Sequence, residues 1–262
     1  MVVPTNSTRQ IGLARALSKL GYCSRSEAGE LIRVGRVRLN GRIRRDSEAP
    51  VHLERDRVQV DGLAVEAALR IYLMLNKPRG VVTTASDEKG RKTVYEFLHP
   101  ACSDKVLPWV APVGRLDKAS EGLLLLTNDS EWSGLALDPG THLDKIYQVQ
   151  IGKHPDEKLL TSMLNGVLTD DGDFLRVKAT RVVRSGQRNS WIEVVLDEGK
   201  NRHIRRLLEK LNVEVLRLLR VAIGPLILGD LQKGAVRPLT LAEKQSLDQA
   251  MRKTSAVGAP PP

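Results

Sequence analysis

The residue types in this sequence favour carboxylate chemistry over the other common catalytic chemistries. The chain lacks the dinucleotide-binding Gly-x-Gly-x-x-Gly, the phosphate loop ending in Gly-Lys-Ser/Thr, Gly-x-Ser-x-Gly and His-Glu-x-x-His. Nucleotide cofactors, serine-hydrolase chemistry and zinc hydrolysis therefore have no sequence support. The five histidines are scattered without ligand spacing, and the two cysteines, Cys23 and Cys102, are far apart. We expect two packing cysteines, no metal site and no cofactor.

Asp117 is the carboxylate best placed for catalysis. It follows a turn-like stretch, residues 111–115, and precedes an apolar strand, as in loops on which a rigid scaffold presents a catalytic group. An ordinary turn or capping aspartate fits the same position. A helix predicted from residue 201 offers a partner, because its periodicity places Arg205 half-buried at the edge of the apolar stripe. There a guanidinium can hold a carboxylate ionised, with Arg202 and Arg206 free for phosphates.

The helical and strand patterns around these residues predict an α+β chain with a small and a larger domain. Residues 9–62 carry two short helical patterns, the second capped by Ser24 and Glu27, and then short strands that run into Asn40-Gly41 and Asp61-Gly62 turns. Residues 70–252 carry longer β-rich runs and helical patterns without regular alternation, which favours a mixed, mainly antiparallel sheet flanked by helices. The strand runs are 71–75, 122–127, 145–151 and 191–196, and the helical patterns are 130–137, 155–164, 201–211 and 240–251. Residues 253–262 are rich in Ala, Gly and Pro and are predicted to be disordered.

The basic residues are concentrated in two stretches. The net charge is +10 and the isoelectric point is near 9.8. Residues 9–45 hold ten Lys/Arg and two acids, and residues 200–220 hold seven Lys/Arg and two acids, so the rest of the chain is slightly acidic. Two such stretches indicate two contact regions for a polyanion backbone, although basic helix faces kept in solvent are the alternative. No secretory signal or membrane-spanning run is evident, so we expect a cytoplasmic protein without a membrane partner.

Five segments resemble, in order, the ribosomal pseudouridine synthases of the RsuA/RluB type. The segment Gly114-Arg115-Leu116-Asp117 continues to Asp129 and resembles the catalytic motif of that family. Leu75 to Gly80, Lys145-Ile146-Tyr147, Glu198 to Arg206 and Leu218 to Leu226 are similar to its other conserved segments. Arg9 to Gly41 resemble the S4 RNA-binding module. Ser120, Ser130 and His203 depart from the residues usual there.

This resemblance implies isomerisation of uridine to pseudouridine in ribosomal RNA. Asp117 would attack or deprotonate the ribose, Tyr147 would stack on the extruded base, Arg205 would pair with Asp117, and Arg115 would fill or guard the space that the uridine leaves. The expected partner is ribosomal RNA or a pre-ribosomal particle, bound by a monomer. The form Lys200-Asn201-Arg202 leans toward large-subunit RNA. The RNA-binding residues that we expect are Arg9, Arg25, Arg33, Arg36, Arg38, Arg42, Lys77, Lys200, Arg202 and Arg206.

Two other functions are compatible with parts of the sequence. A ribosome-assembly protein could bind RNA through the S4-like module without catalysis, but intact Asp117, Tyr147 and Arg205 argue against it. A hydrolytic glycosidase would need two carboxylates flanking one bond. The acid nearest to Asp117 beyond the apolar strand is Asp129, which lies about one typical ~17 Å strand away and is a poor partner.

Overall fold

The structure, a computed structural model, describes residues 10–85, 87–98 and 107–255. Arg9, His99 and Cys102 lie outside the described residues. The described chain forms two compact units. The first comprises residues up to 71 together with 107–111 and 127–130, and the second comprises the other described residues. None of the described helices is long and apolar enough to cross a membrane.

Six α-helices occur in the described residues. They are α1 Leu13–Lys19, α2 Arg25–Arg33, α3 Ser130–Leu137, α4 Glu157–Asn165, α5 His203–Lys210 and α6 Leu241–Ser255. Each helical pattern of the sequence therefore corresponds to a helix, with ends that differ by a few residues. Residues 253–255 were predicted to be disordered, but they end α6, and residues 256–262 lie outside the described part of the chain.

The strands of the first unit have two or three residues each, whereas six strands of the second unit have six or more residues. In the described residues they are β1 Ile11–Gly12, β2 Val37–Leu39, β3 Arg42–Ile43, β4 Pro50–Val51, β5 Val58–Val60, β6 Leu63–Ala64, β7 Tyr72–Lys77, β8 Ala111–Val113, β9 Glu121–Thr127, β10 Lys145–Ile151, β11 Val167–Leu168, β12 Phe174–Leu175, β13 Ala179–Ser185, β14 Ser190–Leu196, β15 Val215–Ile223, β16 Leu226–Ile227 and β17 Val236–Pro238. The four predicted strand runs are all present.

Local signals account for the first unit. The Ser24 hydroxyl accepts a hydrogen bond from the Glu27 amide at 3.1 Å and so caps α2. Asn40 and Gly41 have φ of +52° and +81°, the conformation that a tight two-residue hairpin between β2 and β3 requires. The sheet has the order β3-β2-β5-β6, and its buried side chains share one core with those of α1 and α2.

A mainly antiparallel sheet organises the second unit, which confirms the predicted α+β class. Its order is β13-β14-β10-β15-β9-β7-β17, with β16 beside β15 and β8 beside β9. The pair of β15 and β9 is parallel, and Gly122 lies opposite Arg220 there. Gly122 has φ of +104°, and a Cβ would lie 2.3 Å from the Arg220 carbonyl oxygen. Only glycine fits this position without rearrangement of the backbone.

Helix α5 packs on this sheet through the predicted apolar stripe. Ile204, Leu207 and Leu208 are buried in a core that they share with the inward side chains of β10 and β14. Arg205 is half-buried at the edge of the stripe, as the periodicity predicts. The helix therefore holds an arginine at the boundary between core and solvent.

Candidate active site

The loop of residues 114–120 connects β8 to β9 and is held by hydrogen bonds to its backbone. The Thr83 hydroxyl donates to the carbonyl oxygen of Leu116 at 2.8 Å and accepts from the amide of the same residue at 3.3 Å. The Gly80 amide donates to the carbonyl oxygen of Lys118 at 2.7 Å. The segment that follows β7 thus fixes the first half of the loop.

Lys77, at the end of β7, lies under the same loop. Its side chain has no exposed surface, and its ammonium donates to the carbonyl oxygens of Pro78 at 3.1 Å, Asp117 at 3.1 Å and Ser120 at 2.9 Å. Burial lowers the pKa of Lys77 to about 8, against the opposing effect of the negative charges of Asp117 and Glu121. The prediction that Lys77 binds RNA is wrong, because all three donors are used inside the protein.

Arg205 reaches the loop from α5. Its Nη2 donates to the carbonyl oxygen of Ala119 at 3.0 Å. Burial and the nearby Arg202 lower the pKa of Arg205, and the charge of Asp117 opposes them. Within the described chain Arg205 forms no ion pair with Asp117 at 4.0 Å or less, so the direct pair expected from the resemblance is absent from this structure. Every carbonyl from 116 to 120 nevertheless accepts a hydrogen bond from elsewhere in the unit.

A pocket of about 280 Å³ opens against the 114–120 loop. Among the described residues its charged lining consists of one acid and five cations, with Tyr147 and His203 beside them. The charged residues are Asp117, Arg115, Lys145, Lys200, Arg202 and Arg220. The structure thus brings Asp117, Tyr147 and Arg115 together as the sequence predicts. Arg205 does not line the pocket and contacts the loop backbone instead.

Tyr147 and Arg220 form a cross-strand pair on the sheet below the pocket. Tyr147 lies on β10, opposite Val194 on one side and Arg220 on the other. Its ring is half-buried and packs against the core under α5. Its position fits a surface on which a flat ring could stack.

His203 anchors the start of α5. It is 3% exposed, and its Nε2 lies 2.9 Å from the carbonyl oxygen of Arg176, so Nε2 carries the proton in this contact. Burial lowers the pKa of His203, which keeps the ring uncharged at neutral pH. The residue that departs from the family pattern therefore ties the helix to the segment before β13.

Comparison with known proteins assigns the chain to a family. The RNA pseudouridylate synthase family matches residues 71–210, and the S4 domain matches residues 11–58. The chain belongs to the RNA pseudouridylate synthases. Ribosomal large subunit pseudouridine synthase B of Bacillus subtilis (strain 168) is 35% identical over 90% of this chain and 94% of its own. An uncharacterized RNA pseudouridine synthase of Aquifex aeolicus (strain VF5) is 37% identical, over 92% of this chain and 95% of its own.

A solved structure agrees with this assignment. The crystal structure of a pseudouridylate synthase has a TM-score of 0.62 and 27% identity to this synthase, and the match covers 90% of this chain and 99% of the other. The pocket described above therefore belongs to an enzyme that makes pseudouridine, and the enzyme class predicted from the sequence is confirmed.

The cations of α5 and of the segment just before it are not equivalent in this synthase. Arg206, predicted to bind RNA, is bound instead by the carboxylates of Asp171 at 2.5 Å and Asp173 at 2.8 Å. These acids belong to the connection between β11 and β12, and no pattern in the sequence predicts that this connection lies beside α5. Arg202 is exposed and lines the pocket, and Lys200 donates to a backbone carbonyl at 2.8 Å. Arg206 is therefore not free for phosphates.

The arginines of the S4 domain lie on its surface. Those predicted to bind RNA and described in the structure are Arg25, Arg33, Arg36, Arg38 and Arg42, and all are exposed. Arg33 pairs with Glu30, and Arg36 pairs with Asp61. Exposed pairs of this kind contribute about 0–1 kcal/mol, so they leave both guanidinium groups accessible to a stronger anion.

Sequence reasoning missed two cations of the pocket, Lys145 and Arg220. Lys145 stands two residues before Tyr147 on the same strand, so the two-residue period of a strand could have placed both on one face. Arg220 lies in the apolar strand β15 and is only 5% exposed. A buried arginine in such a strand signals an internal polar contact.

Proposed function

We propose that this synthase isomerises a uridine of ribosomal RNA, from the large subunit, and that Asp117 is its catalytic residue. The carboxylate of Asp117 attacks or deprotonates the ribose, the bond between the sugar and the base breaks, and C5 of the uracil rejoins the sugar. The reaction uses no metal or cofactor supplied by the protein.

The observation that carries this proposal is the single acid of the pocket. In the described chain Asp117 is the only carboxylate among the lining residues, and five cations surround it. Hydrolysis by paired carboxylates needs a second acid on the same bond, so this lining argues against a glycosidase. An anion beside the sugar stabilises positive charge that develops there as the base departs.

The neighbouring residues suit a base that has left its helix. A nucleotide must be flipped out of folded RNA before an enzyme can act on its glycosidic bond. Tyr147 offers a ring face on which uracil can stack, and the exposed Arg115 can fill the place that the base vacates. Arg205 holds the loop through Ala119 and acts on Asp117 through its charge.

Two arguments support a large-subunit RNA substrate. The relative from Bacillus subtilis is a ribosomal large subunit pseudouridine synthase that matches nearly the whole chain. The sequence form Lys200-Asn201-Arg202 favours the same branch. In this proposal residues 9–62 bind RNA through their exposed arginines and residues 70–252 catalyse the reaction. The monomeric enzyme acts in the cytoplasm, where ribosomal RNA is made and assembled.

The test compares wild type, Asp117→Asn and the control Asp230→Asn on ribosomal RNA from cells that lack this protein. Asp230 is exposed and does not line the pocket, so the control makes the same chemical change outside the site. We expect wild type and Asp230→Asn to form pseudouridine at one large-subunit position. Asp117→Asn should bind RNA with nearly unchanged affinity and lose at least about 10⁴-fold in rate, as expected for removal of a nucleophile or base.

Each part of the proposal can fail separately. Activity retained in Asp117→Asn would refute the role of the carboxylate. Modification of the small-subunit RNA alone would refute the substrate. RNA binding without modification by the wild-type protein would favour the assembly protein.

A further inference from the structure

Lys145 presents an ammonium group that no described residue of the protein binds. Lys145 begins β10, lines the pocket two residues from Tyr147 and is half-buried. In the described chain its Nζ forms no hydrogen bond or ion pair, and the neighbouring Asp144 is occupied by Lys178 at 2.7 Å. Burial lowers the pKa of Lys145, and the charge of Arg220 lowers it further, against Asp144 and Asp197.

Arg220, which lines the same pocket as Lys145, also has a donor without an acceptor in the described chain. It is 5% exposed, and its Nε donates to the carbonyl oxygen of Leu123 at 2.7 Å, whereas its buried Nη2 has no acceptor among the described residues. The register places Arg220 directly opposite Tyr147. Two cations with unused donors therefore flank the residue proposed to hold the base.

Burying a cation whose donors have no acceptor costs free energy. We therefore expect an acceptor group of the substrate to form hydrogen bonds with these donors. The exposed Arg202 suits a phosphate, whereas the half-buried Lys145 and the buried Arg220 lie beside Tyr147, where the base is proposed to stack. In this arrangement Lys145 and Arg220 meet the base, and uracil offers two carbonyl oxygens, O2 and O4. Cytosine carries an amino group in place of O4, and a cation would repel that donor.

We infer that Lys145, supported by Arg220, binds a carbonyl oxygen of the target uracil and stabilises the base while it is detached. This inference rests on the proposed function. When the bond from C1′ to N1 breaks, its electron pair stays with the base, and conjugation places the negative charge on O2 and O4. C5 then bonds to C1′, the C5 proton passes to solvent and N1 takes up a proton, so the product is an isomer. Lys145 meets more negative charge during the reaction than in the bound uridine, and so it acts on rate more than on affinity.

The test uses Lys145→Met with the control Lys153→Met, an exposed lysine just beyond the other end of β10. Single-turnover rates at saturating RNA are measured on substrates with uridine, 2-thiouridine or 4-thiouridine at the target position. Sulfur accepts hydrogen bonds poorly. In wild type and Lys153→Met one of the two thio substitutions should slow the reaction. Lys145→Met should lose about 10²-fold with uridine, as for loss of one charged donor to a developing oxyanion, and should no longer discriminate against that thio substrate.

Lys145→Gln provides a second variant if the methionine protein does not fold, because the amide keeps a donor without the charge. It should retain the thio discrimination and lose most of the rate. Equal thio effects in wild type and Lys145→Met would overturn the inference. A loss of RNA affinity with an unchanged single-turnover rate would overturn it too, since Lys145 would then bind phosphate. In both cases the wild-type enzyme still isomerises uridine, so the proposed function stands or falls separately.

Discussion

Lys77→Met separates a role in holding the 114–120 loop from a role in binding RNA. The ammonium of Lys77 donates to Pro78, Asp117 and Ser120 carbonyls and has no exposed surface. Methionine has a similar length and volume, fills the same space and donates no hydrogen bond. The variant therefore removes three hydrogen bonds to the backbone around Asp117 and leaves the packing nearly intact.

Two opposing effects determine the stability of this variant. Asp117 keeps a second donor, the Ser120 amide at 2.9 Å, so two carbonyls lose their support at about 1–3 kcal/mol each. Burial lowers the pKa of Lys77 from 10.5 to about 8, and removing that charge returns about 3 kcal/mol at neutral pH. The net loss in the free energy of unfolding is then at most about 3 kcal/mol. The catalytic rate should fall on the order of 10²-fold, because a misplacement of about 1 Å has an effect of that size.

Urea denaturation at several pH values and steady-state kinetics test this reasoning, with Lys153→Met as the control. Between about pH 8 and 10.5 folded Lys77 has released a proton that the unfolded chain still binds, so the stability of wild type relative to Lys77→Met should increase with pH. A stability difference independent of pH would refute the burial argument. An unchanged kcat with weaker RNA binding would show that Lys77 contacts RNA.

Substitutions in and just before α5 test the roles of His203, Arg202 and Arg206. Because burial lowers the pKa of His203 below 6.5, the unfolded chain takes up its proton first and stability should decline as the pH falls below 6.5. His203→Gln, which can keep the bond to the Arg176 carbonyl, should flatten that decline in thermal unfolding from pH 7 to 5. Arg202→Gln should reduce the slope of log affinity against log salt by about one phosphate contact. Arg206→Gln should leave the slope unchanged, and equal reductions in the two variants would contradict the pairing of Arg206 with Asp171 and Asp173.

The fold could be predicted where local chemistry decides the structure. Ser24 and the Asn40-Gly41 turn specify their own backbone, and the α5 periodicity placed Arg205 at its observed depth. The sheet order could not be predicted, because the parallel pairing of β15 with β9 joins residues about a hundred positions apart. It depends on a close approach at Gly122, which no short-range pattern reveals.

The sequence predicted which residues line the site better than it predicted which partners those residues bind. Asp117, Tyr147 and Arg115 share the pocket as expected. Lys77 and Arg206 were assigned to RNA because they are basic, yet their acceptors lie inside the protein. Carbonyl groups of a distant loop bind Lys77, and the acids between β11 and β12 bind Arg206. Charge counts from sequence cannot distinguish an unused cation from one that tertiary structure has already paired.

The proposed reaction needs a fixed carboxylate and a moving base in the same pocket. Different residues meet these two requirements. Donors from the segment after β7, from Lys77 and from Arg205 all bind the backbone of the 114–120 loop from behind. None of these contacts uses the carboxylate of Asp117, so in the proposed reaction the carboxylate is available to the sugar. Lys145 and Arg220, by contrast, keep donors without acceptors among the described residues. A base that detaches, turns and rejoins presents first N1 and then C5 to the sugar, so it needs donors that are not bound elsewhere. In the described chain the loop backbone is therefore held by hydrogen bonds, whereas donors of Lys145 and Arg220 remain available to the base as it turns.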